Sequence, residues 1–315
     1  MRRRGLLRGA AGLGLAASAR TAGAQALPRI GYLTAGDVEP SWGLFRKAMA
    51  DLGRIDGRSV AYEFRTADAA SGRLDALAQE LVRLKVDVLV AVLSPAITAA
   101  KRATTTIPIV FNGAAPDTGT VQAMARPVDN LTGVFSPSAA VAAKCVQLFH
   151  EILPRARTLG LLLHKPDPFH VPLQAALEAM ARSEGLAVDR AVIEAAQVPA
   201  TLAEFARRHV DGVLVQPSIG LQRGAELALQ HRLPAVSFRR EFAEFGGLLA
   251  YGPDQMAMNR VIAEDVVRLL KGARVADLPI QQATKFELVV NQKTARTLGV
   301  ALPPLFTAAA DEVLE

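Results

Sequence analysis

The side chains able to do chemistry in this 315-residue chain are few and scattered. His150, His164, His170, His209 and His231 form no H-E-x-x-H and no i, i+4 pair, and none has a cysteine partner, so no zinc-type ligand set is spelled out. Neither a G-x-S-x-G nucleophile elbow nor a G-x-x-x-x-G-K-[ST] phosphate loop occurs. Cys145 lies in an apolar stretch with Val141, Val146 and Leu148, which reads as a buried, inert thiol rather than a nucleophile. Gly12-Leu13-Gly14-Leu15-Ala16-Ala17 matches G-x-G-x-x-A, but no strand precedes it, and the dinucleotide motif needs its strand–turn–helix setting. These residues point away from an enzyme, from a metal site and from a bound cofactor.

What remains is a series of polar and aromatic residues placed just after short apolar runs. Thr34 closes the first run, with Ser41 and Trp42 entering the next helix. Ser94-Pro95-Ala96 follows the third, and Asn112 to Thr118, including Asp117, the fourth. Gln216 and Ser218, then Phe238 and Arg239, then Tyr251 and Asp254 hold the equivalent places further on. In open parallel sheets ligands bind at the carboxyl ends of strands, where loop amides and helix amino termini converge. Two readings stand for Ser94 and Asp254, helix capping or ligand contact. Two also stand for Trp42, stacking on a flat ligand or packing against its own lobe.

The elements that must position these residues alternate strand and helix. Strands are expected over 29–34, 59–65, 86–93, 107–111 and 131–135, with helices over 42–52, 72–84 and 95–103 between them. The rhythm then restarts: a helix over 139–153, strand 158–164, helix 173–184, strand 186–193, helix 200–208, strand 212–216, helix 221–231 and strand 235–238. A short strand over 248–251 precedes a long helix over 255–270. Continuous apolar strands between amphipathic helices imply parallel sheets covered on both faces. Two copies of one architecture, with a boundary near 133–138, predict an α/β protein of two similar lobes. The patterned tail after residue 272, with its strand-like run at 285–291, is expected to pack back on the lobes, so that the chain crosses between them more than once and makes a hinge.

The amino terminus bears on compartment. MRRRGLLR has no acid, residues 9–19 are rich in Ala, Gly and Leu, and the A-x-A sites Ala22-Gly23-Ala24 and Ala24-Gln25-Ala26 follow. This is the layout of a secretory signal peptide over 1–26, cut near Ala24 or Ala26. The run Arg3-Arg4-Gly5-Leu6-Leu7-Arg8 also resembles a twin-arginine signal. The net charge of +6 owes five positive charges to Arg2, Arg3, Arg4, Arg8 and Arg20, so the remainder carries about +1 and offers no polyanion-binding surface. A single cysteine allows no intrachain disulfide, and no later run is long and apolar enough to span a bilayer. A periplasmic monomer, without membrane insertion and without nucleic acid, is expected.

Several segments together carry a family resemblance: 45–57 (FRKAMADLGRIDG), 77–90 (LAQELVRLKVDVLV), 99–111 (AAKRATTTIPIVF), 125–133 (ARPVDNLTG), 238–254 (FRREFAEFGGLLAYGPD), 278–291 (LPIQQATKFELVVN) and 310–315 (ADEVLE). They resemble the ABC transporter substrate-binding proteins, whose characterised branch binds tryptophan and related aromatic amino acids. The resemblance implies a type I periplasmic-binding-protein fold: two Rossmann-like lobes with parallel sheets, joined by a multi-strand hinge. It implies lobes of 27–134 plus 253–280 and of 135–252 plus 281–315. It further implies capture of a small organic ligand, an amino acid or aromatic carboxylate, in the interlobe cleft, and delivery to an ABC permease and its ATPase. A ligand-sensing receptor component docking on a membrane signalling protein is the alternative. The family's T-P-A turn is similar to Ser94-Pro95-Ala96, which would take a carboxylate; its Y-G-x-D is similar to Tyr251-Gly252-Pro253-Asp254, where Asp254 would take an amino group. Leu93 stands where many relatives have Gly, Pro116-Asp117 reverses the usual order, and Gln255-Met256 replaces the paired aromatics of the amino-acid-binding branch.

Overall fold

The structure is a computed structural model that describes residues 26–36, 41–68, 70–114 and 129–315. Asp117 and residues 1–25 of the expected signal segment lie outside the described residues.

Two sheets account for the strands. The first holds β1 (Arg29–Thr34), β2 (Ala61–Thr66), β3 (Val88–Val92), β4 (Ile109–Ala114), β5 (Leu131–Ser136) and β11 (Gln281–Gln282), in the order β11-β5-β4-β3-β1-β2, with every neighbouring pair parallel. The second holds β6 (Thr158–His164), β7 (Ala187–Ile193), β8 (Gly212–Val215), β9 (Ala235–Ser237), β10 (Leu249–Pro253), β12 (Phe286–Asn291) and β13 (Glu312–Leu314), in the order β13-β12-β10-β9-β8-β6-β7. Its β10–β12 pair is antiparallel, a departure from the all-parallel expectation. The cause is connectivity: β12 is reached from the first sheet through β11, so it enters the second sheet from the opposite end.

Both faces of each sheet are covered, which is why the strands read as unbroken apolar runs. In β3, Val88, Val90 and Val92 pack with Phe45 and Met49 of α1 (Ser41–Asp51), while Leu89 and Ala91 pack on the other face with Leu81 of α2 (Leu74–Arg83) and Ile97 of α3 (Ser94–Ala103). The second sheet repeats this arrangement. Leu159, Leu161 and Leu163 of β6 meet α4 (Ser138–Ile152) and α5 (His170–Ser183). Leu162 meets α6 (Val198–Arg207) and α7 (Leu221–Gln230) on the other side. The period of two in a fully apolar strand thus serves two separate cores.

The chain passes between the sheets three times. Pro137 links β5 to α4; Asp254 links β10 to α9 (Gln255–Leu270), whose Met258, Ile262 and Val266 pack in the first lobe; residues 283–285 link β11 to β12. The crossings are tied to one another: the Asp254 N–H donates to the Lys285 carbonyl at 3.0 Å, and the Ala283 N–H to the Phe135 carbonyl at 2.8 Å. The tail packs back as expected. Arg240 of the short helix α8 (Arg240–Glu244) binds Glu244, Glu287 of β12 and Glu312 of β13 at 3.0, 2.9 and 2.7 Å.

One carboxylate in this frame works against stability. Asp265 of α9 is 2% exposed, its Oδ2 has no hydrogen-bond partner among the described residues, and Arg268 approaches its other oxygen only to 4.0 Å. Burial pushes its pKa up to about 6, so between the unfolded value and 6 the folded state holds the proton more tightly. Stability is therefore greatest below the unfolded pKa and falls as pH rises through about 6. Asp265→Asn is expected to stabilise the protein by roughly 2 kcal/mol at pH 8 and by little at pH 4. Calorimetric melts at the two pH values check this, and equal shifts at both would show that the carboxylate is not the cause.

A candidate ligand cleft between the two sheets

The carboxyl ends of both sheets face a common cleft with about 460 Å³ of space between protein atoms, its open mouth included. From the first lobe, the turn after β3 supplies Leu93 and Ser94, and the end of β4 supplies Asn112, Gly113 and Ala114. The crossings supply Ser136, Ser138, Pro253, Gln255 and Met258. From the second lobe come Asp167 and Phe169 after β6, Gln216, Pro217 and Ser218 after β8, and Phe238 and Arg239 after β9.

Local chain geometry sets these side chains. Leu93 turns β3 into α3 with φ 72° and ψ 149°, a region that favours glycine, so the Leu here carries backbone strain at the cleft wall. Pro95 suits the first turn of α3, where its missing N–H is not needed. Asp254 opens α9 as its cap, with Oδ1 accepting from the Ala257 N–H at 2.9 Å.

A polar network forms the second-lobe wall. Asp167 is buried at 4% exposure; its Oδ1 accepts from the Phe169 N–H at 3.0 Å, and its Oδ2 from Gln216 Nε2 at 2.8 Å and Ser218 Oγ at 2.6 Å. Burial raises the Asp167 pKa, and the bonds from Ser218, Phe169 and Gln216 oppose it. Gln216 Oε1 in turn accepts from the His164 N–H at 2.9 Å. His164 is fully buried with Nδ1 3.3 Å from Ser218 Oγ; burial, then the nearby His170, push its pKa down to about 4, so the ring is neutral near pH 7.

Arg239 spans the cleft. Its guanidinium forms a two-pronged pair with Glu241 at 3.0 and 3.2 Å, and its Nη2 donates to Ser41 Oγ on α1 of the opposite lobe at 2.7 Å. Through this bond the two walls touch.

Of the residues expected at the site, the cleft lining contains Ser94, Gln216, Ser218, Phe238 and Arg239, and Ser41 meets Arg239 beside it. Asp117 lies outside the described residues, and the remaining six are placed elsewhere. Thr34 is buried at the end of β1, where its Oγ1 accepts from the Gly36 N–H. Trp42 packs among Tyr32, Tyr62 and Phe64 with ring centroids 4.9, 5.2 and 5.1 Å away, within its own lobe and outside the cleft lining. Pro95 and Ala96 are buried in the first turn of α3. Tyr251 stacks on Phe286, and Asp254 serves as the α9 cap. Cys145 is fully buried, its S–H pointing at the Ser237 and Tyr251 carbonyls, and burial pushes the thiol up to about 12. Among the described residues no group of His, Cys, Asp and Glu is arranged to hold a metal ion.

Sequence reasoning missed Asp167, Phe169, Ser136, Ser138, Gln255 and Met258 as lining residues. The strand-end rule extends to Asp167, three residues past β6; the two serines flank the interlobe boundary and were legible only as a boundary.

The sequence profile described as "ABC transporter substrate binding protein" matches residues 41–314. The chain belongs to that family. As a substrate-binding protein it falls in an extracytoplasmic, solute-binding class that works with ABC transporters and is not a class of enzymes. A tyrosine-binding protein of Clostridioides difficile (strain R20291) is 22% identical over 264 residues, covering 81% of this chain and 75% of the relative. An ABC domain from Streptococcus pneumoniae, solved in complex with L-Trp, superposes with a TM-score of 0.79 at 23% identity, covering 91% of this chain and 100% of that one. A conserved domain protein from Vibrio cholerae gives the same TM-score, 0.79, and identity, 23%, over 90% of this chain and 99% of that one. The type I periplasmic-binding-protein fold of this substrate-binding protein is thereby shown. No helix among the described residues is long and apolar enough to cross a membrane.

Proposed function

We propose that this substrate-binding protein captures a small organic solute, an amino acid or aromatic carboxylate, between its lobes and delivers it to the permease of an ABC importer. The observation that carries the reading is a pair of unsatisfied polar atoms in the cleft. Ser136 Oγ and Gln255 Oε1 are buried with no hydrogen-bond partner among the described residues, and both belong to crossing segments that face the space between the sheets. Buried polar groups are nearly always paired, so two orphans lining one cleft mark where a ligand's polar atoms belong. Leu93, Phe169, Phe238 and Met258 supply the apolar surface such pockets use for affinity.

Residues 27–136 plus 255–282 and residues 138–253 plus 286–315 are proposed to move as two bodies about the three crossings, a few residues from the expected boundaries because β5 and β11 belong whole to the first sheet and β10 to the second. Ligand favours the closed arrangement only through bonds that the open one lacks, and a solute reaching Ser94 on one lobe and Gln216 on the other makes such bonds. Residues 1–26 are proposed to direct export. The names of the tyrosine-binding relative and of the L-Trp complex support amino acids as the first solutes to try.

Thermal melts of the purified protein with the common amino acids and a set of aromatic carboxylates test the reading. A true ligand at 100 times its Kd adds about 2.7 kcal/mol and raises the melting temperature by several degrees. A panel that leaves every melt unchanged would refute capture of these solutes. Uptake of the hit in cells with and without the gene then tests delivery.

A further inference from the structure

The charges in the cleft do not balance. Its lining contains two ionisable side chains, Asp167 and Arg239. Arg239 is matched by the buried carboxylate of Glu241, so that pair brings no net charge. Asp167 has no Lys or Arg partner among the described residues: its three hydrogen bonds come from a backbone amide, a neutral amide and a hydroxyl, and His170, whose charge favours the ionised carboxyl, sets its Nδ1 2.7 Å from the Asp167 backbone carbonyl rather than on the carboxylate. The buried histidine beside its partners, His164, is neutral near pH 7.

A carboxylate in this setting is costly to bury without compensation. Two oxygens offer about four acceptor positions, of which three are used, and all three donors favour the ionised over the protonated form. The side chain is fixed by its neighbours, carries an acceptor site to spare and lies in the wall of the solute cleft. Asp254, which the family resemblance offered for an amino group, has its Oδ1 engaged by the first turn of α9 and lies outside the lining.

We infer that Asp167 is the cation-recognising residue of the cleft, so that the captured solute bears a protonated amine, which Asp167 accepts as Gln216 and Ser218 hold it in place. The inference rests on the capture reading and narrows it: amine-free aromatic carboxylates become poor ligands. An amino acid would set its ammonium against Asp167 on the second lobe and leave its carboxylate for the start of α3 at Ser94 on the first, so one zwitterion would bridge both walls.

Titration calorimetry on the purified chain tests this with matched pairs: L-tryptophan and L-tyrosine against 3-indolepropionate and 3-(4-hydroxyphenyl)propionate, then each remaining amino acid against its amine-free acid. The amine-bearing member is expected to bind at least 100-fold more tightly to the wild type. Asp167→Asn is expected to lose at least 100-fold for that member and to change binding of the amine-free acid less than threefold. A purely structural Asp167 would weaken both members alike, and that result overturns the inference. So does an amine-free acid that matches its partner on the wild type, a comparison that needs no variant to fold. If amine-free solutes alone bind, capture stands and the role of Asp167 falls; if no solute binds, both fall.

Discussion

Gly133→Ala is expected to destabilise the first lobe by more than about 4 kcal/mol, beyond the usual range of a point substitution. Gly133 lies in the middle of β5 and pairs in register with Phe111 of β4. A methyl at this position would run into the Phe111 backbone nitrogen and carbonyl, atoms held by the sheet and unable to swing aside as a side-chain tip does. Its φ of 137° adds a second, independent penalty for any residue with a Cβ. Relief requires β4 and β5 to part. Their ends carry Asn112, Gly113, Ala114 and Ser136, so the lesion reaches the cleft as well. Urea denaturation followed by circular dichroism measures the loss. A shift worth less than about 1 kcal/mol would mean that the two strands are not held in this register.

Arg239→Ala is expected to cost about 3–5 kcal/mol, because it strands Glu241 at 1% exposure with no counter-charge. Removing both members, as in the double variant Arg239→Met with Glu241→Leu, is expected to recover most of that loss, since a well-packed apolar pair often replaces a buried ion pair without penalty. Lobe closure should not recover with it. The guanidinium also donates to Ser41 across the cleft, and neither methionine nor leucine can do so. Chemical denaturation reports the stability of both variants, and small-angle scattering reports whether the lobes stay together. Ser41→Ala separates the two roles: it removes the cross-cleft bond for about 1 kcal/mol and leaves Glu241 paired. A double variant that remains as compact as the wild type would show that the Arg239–Ser41 bond does not hold the lobes closed.

The sequence carried the fold further than the site. Val88–Val92 is apolar at every position because two helical layers cover it, and that pattern is readable without coordinates. Helix α9 is read to the residue, helped by an aspartate that caps it. The first sheet's edge strand is harder: β11 is two exposed glutamines, and only its pairing with β5 makes it a strand. At the site, the strand-end rule finds the right loops but not which side chains turn inward. Ser94 and Thr34 occupy the same kind of position, yet only Ser94 lines the cleft. Trp42 is claimed by aromatic neighbours drawn from positions 32 to 64, a cluster that exists only once β1, β2 and α1 are packed. Asp167 hides in Lys165-Pro166-Asp167-Pro168, which reads locally as a turn; its importance comes from Gln216 and Ser218, some 50 residues away.

The three crossings have a consequence for the order in which the protein can be made. The first sheet acquires β11 and the cover of α9 only after β6 to β10 have been synthesised, so a ribosome that has finished β5 has not yet finished a lobe. The half that begins first cannot be completed before most of the other half exists. A nascent chain cut at residue 136 would show two bare flanks, one beside β5 and one where Ile262 and Val266 should lie, and would look to a chaperone like an unfinished protein rather than half of a finished one.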